Sequence, residues 1–251
     1  MKYDERLAKS LVGSDGPSAL RFYGWNPPAI SLGWHQDIGE IDLEKCAEAG
    51  IDVVRRPTGG RAILHSDEVT YSVVMVASQK SVLSVYRDVS EALVGGLRAL
   101  GADVALEKIQ PHFPSLYRSS SAVACFASSA RYEIHVDGRK LVGSAQRRFA
   151  RRNGEEVVLQ HGSILLGPDH LRMVDFLKAL DDDQRLELKC ELQGKTIDLA
   201  SALGRRVERD EVVLALKRGF EQVWSIEFSP SSTGDQEEDI FDEGSAGAVR
   251  K

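Results

Sequence analysis

The sequence contains little cysteine, with only Cys46, Cys125 and Cys190 in a chain of 251 residues. Their number is odd, they lie far apart, and no two of them form a CxxC pair. This pattern indicates neither a disulfide framework nor a zinc site. We therefore expect free thiols in a reducing compartment and no bound metal.

Long apolar runs are missing as well. No stretch approaches the roughly 20 residues that a membrane-spanning helix needs, and the N-terminal segment MKYDERLAKS is charged where a signal peptide is apolar. A GxxxxGK[ST] phosphate-binding loop does not occur either. The composition, 42% hydrophobic and 28% charged, is typical of a globular protein, and we expect a cytoplasmic location without membrane attachment.

Charge is distributed unevenly along the chain. The formal net charge is −6, and residues 229–251 alone contain six acidic and two basic side chains. Residues 139–152, in contrast, contain six Lys or Arg side chains and no acidic one. Such a basic stretch is typical either of a solvated strand edge or of a surface that attracts an acidic protein partner.

Hydrophobic periodicity and turn residues predict a mixture of helices and strands rather than regular βαβ units. The predicted strands are 20–25, 29–34, 51–56, 62–65, 69–77, 131–136, 139–148 and 157–166. The predicted helices are 1–12, 42–49, 81–100, 168–180, 196–203 and 209–224. We expect one α/β (α+β) domain over residues 1–229, followed by an acidic, disordered tail over 230–251 that has too little apolar material to fold.

Cys125 and Lys140 are candidates for nucleophilic catalysis. Asp137-Gly138 predicts a two-residue hairpin that returns Lys140 beside the strand following Cys125. A lysine close to a thiol stabilises the thiolate, which is the reactive form of cysteine. Taken alone, however, the pattern favours the simpler interpretation that Cys125 is a buried core residue, because unpaired cysteines usually are.

Glycines interrupt three strand-like segments in ways that suit a ligand. In RRPTGGRAILH (55–65) a Gly-Gly turn follows a predicted strand and is flanked by arginines that suit a carboxylate or phosphate, and His65 could act as a polar or acid–base group. In GSAQ (143–146) and QHGSILL (160–166) a glycine lies inside a strand. A tight turn with surface arginines and two simple β-bulges would explain the same residues.

Taken together, the motifs resemble the biotin/lipoate–protein ligase superfamily, and most closely its bacterial octanoyltransferase branch. The resemblance covers roughly residues 3–228. The matching segments, in the order of the family, are RFYGWNPPAISLGWHQ (21–36), RRPTGGRAILH (55–65), TYSV (70–73), the interval from Cys125 to Lys140, GSAQRR (143–148) and LQHGSILL (159–166).

The resemblance implies a large mixed β-sheet flanked by helices and an acyltransferase of lipoate biosynthesis and protein lipoylation. Such an enzyme moves octanoyl from acyl carrier protein to the lysine of a lipoyl domain, in the glycine-cleavage H protein or in the E2 subunit of a 2-oxoacid dehydrogenase. It implies Cys125 as the thioester nucleophile and Lys140 as the lysine that keeps the sulfur ionised, with no cofactor, nucleic acid or membrane. The residues implied to bind substrate are Arg55, Arg56, Thr58, Gly59, Gly60, His65, Gly143, Ser144, Ala145, His161 and Gly162.

Three other functions fit the same motifs. They are an amidotransferase that moves octanoyl or lipoyl between carrier proteins, an ATP-dependent lipoate–protein ligase, and a non-catalytic carrier-binding module. The presence of Cys125 favours the octanoyltransferase, because the ligases do not require that cysteine. The family also has a strand and a loop before the helix that matches residues 2–12, so we expect either a start further upstream or a sheet without one edge strand.

Overall fold

The computed structural model describes residues 1–106, 132–178 and 180–229. The α-helices are α1 (Lys2–Gly13), α2 (Leu43–Glu48), α3 (Val82–Ala99), α4 (Asp182–Lys195), α5 (Leu199–Leu203) and α6 (Arg209–Trp224). The strands are β1 (Ala19–Tyr23), β2 (Ala29–Leu32), β3 (Asp52–Arg55), β4 (Ile63–His65), β5 (Glu68–Val76), β6 (Ala105–Leu106), β7 (Ile134–Val136), β8 (Arg139–Ala150) and β9 (Glu156–Leu165). Short 3-10 helices occupy Ile38–Glu40 and Pro168–Phe176.

The strands form two sheets. The larger sheet has the order β1-β5-β9-β8-β7-β6 and pairs its described strands antiparallel throughout. The smaller sheet has the order β3-β2-β4, in which β2 runs parallel to β3 and antiparallel to β4. The predicted α/β class with a large sheet flanked by helices is thus confirmed, but the expected mixture of parallel and antiparallel pairs is found in the smaller sheet and not in the larger one.

The hairpin predicted at Asp137-Gly138 is present between β7 and β8. Both turn residues have positive φ, +50° and +73°, as a type I′ turn requires. The hairpin pairs Val136 with Arg139 next to the turn. Further from the turn, the register of the two strands shifts between Ile134 and His135. Lys140 therefore lies at the beginning of the longest strand of the larger sheet.

Helices α3 and α6 cover one face of the larger sheet. Their buried side chains form the main core together with alternate residues of β5, β8 and β9. The two helices approach closely at Gly96 and Gly219, where a Cβ on Gly219 would lie 2.4 Å from the backbone nitrogen of Gly96. Helix α1 packs on the opposite face, against a cluster that includes Val74 and Leu159.

One helix was missed by the sequence analysis and one was misplaced. The predicted helix 168–180 is a 3-10 helix that ends at Phe176, and α4 follows it as an unpredicted element. Only Leu188 and Leu192 of α4 are buried, so its sequence carries hardly any apolar periodicity. The helix begins with a capping box between Asp181 and Gln184, and this pair was the sequence feature that indicated a helix at this position.

In the described residues, no helix has the length and apolar character to cross a membrane. The division between a domain ending at 229 and a tail over 230–251 stays a prediction, because the proposed tail lies outside the described residues.

Candidate active site

A cavity of about 250 Å³ has walls from both sheets. The smaller sheet contributes residues of β2 and β4 and the turn that connects β3 to β4, while the larger sheet contributes residues of β5, β8 and β9. The side chains and glycines used below are Ser31, Arg56, Gly59, Gly60, Ile63, His65, Thr70, Gly143, Ser144, Ala145, Gln146, His161, Gly162 and Ser163.

The Gly59-Gly60 turn is held in place by the buried guanidinium of Arg56. Its Nε donates to the carbonyl of Gly59 at 3.1 Å, and its Nη2 donates to the carbonyl of Arg61 at 2.6 Å. Gly60 has a φ of +96°, and its carbonyl lies where a Cβ on Gly33 would be, at 1.8 Å. Gly33 and Gly60 therefore allow the turn to lie against the end of β2, where it forms one wall of the cavity.

A buried hydrogen-bonded chain runs from Arg56 to Glu68. Arg56 Nη1 donates to Ser31 Oγ at 3.1 Å, Ser31 Oγ lies 2.7 Å from His65 Nε2, and His65 Nδ1 lies 2.8 Å from Glu68 Oε1. The guanidinium can only donate, so Ser31 Oγ accepts from Arg56, and the direction of the two bonds of His65 follows from which ring nitrogen carries the proton. Thr70 also donates to Glu68 Oε1, whereas Glu68 Oε2 and His161 Nδ1 are buried without a hydrogen-bond partner among the described residues.

His161 lies on β9 and forms another part of the wall. Its Nε2 is 2.7 Å from the hydroxyl of Thr58, which links the smaller sheet to the larger one. Burial, reinforced by the charge of Arg56, lowers the pKa of His161 to about 3. The imidazole is therefore neutral near neutral pH and serves the cavity as an uncharged hydrogen-bonding group.

We expect His161 to make the fold sensitive to mild acid. Its imidazole stays neutral in the folded chain but binds a proton below about pH 6.5 once unfolded, so stability is lost as the pH falls through that value towards the folded pKa of about 3. Between roughly pH 7 and pH 5 the expected loss from this residue is about 2 kcal/mol. Urea unfolding at both pH values measures this loss, and the free energy of unfolding should fall less between them for His161→Gln than for the parent.

His35→Gln is the matched control for this prediction, because His35 is an exposed histidine. If the free energy of unfolding of His161→Gln falls between the two pH values by as much as that of the parent, the assignment is contradicted.

Gly162 allows a side-chain bridge across the central strand of the larger sheet. Tyr71 and Ser144 are its neighbours on β5 and β8, and the Tyr71 hydroxyl lies 2.7 Å from Ser144 Oγ. A Cβ on Gly162 would come within 2.7 Å of the Tyr71 ring and 2.3 Å of the Gly143 carbonyl. The glycine that the sequence presented as a bulge or ligand contact is thus required for a phenol to pass over β9.

Lys140 is buried near this bridge and forms an ion pair. Its Nζ lies 2.7 Å from Glu133 Oε1, and the two side chains are only 3% and 4% exposed. The Glu133 charge also acts on Tyr71, whose pKa is raised to about 12 mainly by burial. Cys125 lies outside the described residues, so its role as the nucleophile stays a prediction.

Most of the implied substrate-binding residues line the cavity, and two, Arg55 and Thr58, do not. Arg55 Nη1 donates to the carbonyls of Gly33, Trp34 and Gln36, and Thr58 supports His161. The wall also includes residues that were not predicted from the sequence: Met1, Ser31, Ile63, Thr70 and Ser163. Glu68, which bonds to His65, was not predicted either. For Ser31, Thr70 and Ser163 the only sequence signal was alternation with apolar residues along predicted strands.

The basic stretch forms intramolecular contacts that its sequence did not reveal. Arg148 pairs with Glu156 at 2.5 Å, and Arg151 pairs with Asp15 and Glu155 at 2.6 and 2.8 Å. Arg147 stacks on Trp34, and Arg152 is exposed. Within the described ranges no group of three His, Cys, Asp or Glu side chains is placed to hold a metal ion.

Comparisons with known proteins agree with this geometry. The family model of the lipoyl protein ligase A/B catalytic domain matches residues 1–221. Octanoyltransferase LipM of Kyrpidia tusciae is 38% identical over 97% of this chain and 89% of its own length. Octanoyltransferase LipM of Bacillus subtilis is 37% identical over 96% of this chain and 87% of its own length. Octanoyltransferase LipM of Moorella thermoacetica is 40% identical over 92% and 83%.

Solved structures show the same fold. A bi-partite lipoate protein ligase of Thermoplasma acidophilum has a TM-score of 0.73 at 24% identity, over 91% of this chain and 79% of that one. Lipoate-protein ligase A bound with ATP has a TM-score of 0.70 at 25% identity, over 91% and 81%.

The fold and the match over residues 1–221 are those of a lipoyl protein ligase A/B catalytic domain. The chain belongs to the lipoyl protein ligase A/B catalytic-domain family and is an acyltransferase. The octanoyltransferase function predicted from the sequence is confirmed by the relatives.

Proposed function

We propose that this chain transfers octanoyl from acyl carrier protein to the lysine of a lipoyl domain through a thioester on Cys125. The observation that carries the proposal is the octanoyltransferase name shared by relatives that match nearly the whole chain. The glycine-cleavage H protein and the E2 subunit of a 2-oxoacid dehydrogenase are the proposed acceptors. We place the reaction in the cytoplasm, where a free thiol stays reduced.

In the first half-reaction the Cys125 thiolate attacks the octanoyl carbonyl carbon. A C–S bond to Cys125 forms, the C–S bond to phosphopantetheine breaks, and the donor carrier leaves as a thiol after taking up a proton. In the second half-reaction the deprotonated acceptor lysine attacks the acyl-enzyme and a C–N bond forms. The C–S bond to Cys125 breaks, the Cys125 thiolate is released, and the nitrogen gives up one proton to solvent to leave an amide. Thioester exchange is nearly balanced and amide formation is downhill, so the proposal requires neither ATP nor a metal.

The strand β8 offers groups for both steps. Lys140 lies three residues before Gly143, so a cation is held close to the glycine-rich part of the wall. Strand β7 pairs with β8 only as far as Val142. The outward-facing N–H groups near Gly143–Ala145 are therefore outside the β7 ladder, and we propose them as donors to the oxyanion of each tetrahedral intermediate.

The test is to incubate the protein with octanoyl-acyl carrier protein in the absence of ATP and to measure the intact mass. We expect one added octanoyl group that a lipoyl domain then removes. An adduct that requires ATP and free octanoate would contradict the proposal and indicate a ligase. Formation of the adduct from an octanoylated lipoyl domain instead of acyl carrier protein would indicate the amidotransferase.

A further inference from the structure

Among the described residues, the most exposed large aromatic side chain close to the cavity is Trp34, with 50% of its surface accessible. The guanidinium of Arg147 lies 5.0 Å from the centre of its ring and 4.9 Å from that of Phe149. Stacking of this kind orders both side chains while leaving their outer surfaces open. We call Trp34 and Arg147 the rim pair.

The rim pair adjoins the turn that forms one wall of the cavity. The backbone nitrogen of Trp34 donates to the Thr58 carbonyl at 2.9 Å, and Arg147 Nη1 donates to the Pro57 carbonyl at 3.1 Å. Gly59 and Gly60, which follow directly, are exposed and line the cavity. A protein that inserts a side chain over this turn will contact the rim pair.

Arg147 keeps part of its charged side chain exposed. Its side chain is 33% exposed, and its ion pair with Glu5 is long, at 4.0 Å. Glu5 is closer to Lys9, at 2.9 Å. Arg148 and Arg151, by contrast, are neutralised by the pairs described above. The charge that the basic stretch offers beside the cavity is therefore concentrated at Arg147.

We propose that the rim pair is the docking surface for the acceptor, an acidic lipoyl domain, rather than for the donor carrier. This inference rests on the proposed function. A lysine side chain is a short four-carbon stem, so the acceptor must bring its surface up to the rim before the amine can enter the cavity. The phosphopantetheine arm of a donor carrier is several times longer and allows that protein to remain further away.

Tryptophan and arginine are the residue types that most often dominate binding energy at interfaces. Trp34→Ala should therefore raise the KM for the lipoyl domain about tenfold or more. Arg147→Gln should raise it less, and should flatten its dependence on salt because a charge at the edge of an interface acts mainly on association. The KM for octanoyl-acyl carrier protein and the yield of acyl-enzyme from it should stay within about twofold of the parent.

Arg152→Glu is the matched control for the charge. Arg152 is exposed and lies five residues beyond Arg147, in the turn that follows β8. The control should leave the KM for the lipoyl domain unchanged. An equal rise in Arg152→Glu would show a general charge effect and would overturn the docking surface.

Fluorescence gives a reading that does not depend on turnover. Trp25 and Trp224 are half-buried, and their indole N–H groups donate to Thr70 and to the Asp88 carbonyl. Trp34 is 50% exposed and is therefore the tryptophan that a partner would cover. Addition of lipoyl domain should shift the emission to shorter wavelength, and Trp34→Phe should abolish the shift.

Two results would overturn the docking surface. One is an unshifted emission at saturating lipoyl domain, and the other is a rise in KM for the donor carrier equal to that for the acceptor. If the parent formed no acyl-enzyme at all, the proposed function would fail instead, while the fluorescence titration would still decide whether the acceptor docks here.

Discussion

Cys125→Ala is expected to abolish both formation of the octanoyl adduct and transfer to the lipoyl domain. The proposed thioester cannot form without a sulfur at this position, and loss of a covalent nucleophile lowers turnover by on the order of a thousandfold or more. Intact-mass measurement with octanoyl-acyl carrier protein tests the first half-reaction, and octanoylation of a lipoyl domain tests the whole reaction.

Cys46 and Cys190 supply the controls for this experiment. Cys46 is buried on α2, and burial raises the pKa of its thiol to about 11, so it is a poor nucleophile near neutral pH. Cys190 is exposed on α4. Cys190→Ala and Cys46→Ala should both retain the adduct. A hydroxylamine-labile octanoyl group on Cys125→Ala would show that another residue carries the acyl chain.

Lys140→Met is expected to destabilise the fold as well as slow acylation. The substitution leaves the Glu133 carboxylate buried without the ammonium that lies 2.7 Å from it. Removing one partner of a buried ion pair costs about 3–5 kcal/mol, far more than an exposed pair is worth. Urea unfolding should reveal this loss. Lys217→Met removes a pair of the same length, 2.7 Å, from the surface of α6 and should leave the unfolding midpoint almost unchanged.

The double variant Lys140→Met with Glu133→Gln separates stability from chemistry. It removes both charges, so most of the lost stability should return, while the pKa of the Cys125 thiol should stay raised because the cation is gone. Alkylation rate against pH measures that pKa. A thiol pKa that equals the parent value in the refolded double variant would mean that Lys140 does not stabilise the thiolate.

The sequence predicted the strands and the long helices well where apolar alternation and turn residues agreed. Asp137-Gly138 specified its hairpin because the type I′ turn, which joins two strands in two residues, has positive φ at both positions and strongly favours Asp-Gly. Helix α4 was missed because a helix that buries two leucines leaves almost no periodic signal. Its polar cap was informative, but capping residues are common in loops as well.

The candidate site was predictable in its motifs and unpredictable in its contacts. Gly59, Gly60, Gly143 and Gly162 were identified because glycine marks tight turns and irregular strand positions. The structure shows a positive φ at Gly60 and close packing at Gly162. The contact between His65 and Ser31 was not predicted. The two residues lie 34 positions apart in the sequence and meet only because β2 pairs with β4. Pairs of this kind are fixed by strand register, which is a property of the folded sheet.

The position of β9 has a consequence for how the chain is made. This strand lies between β5 and β8 in the larger sheet although it follows both of them in the sequence. During synthesis β5 and β8 therefore keep open hydrogen-bonding edges until residues 156–165 have emerged, and open edges are the surfaces on which nascent chains associate with one another. His161 and Gly162 arrive with that same strand, so the last step that closes the sheet also completes the cavity.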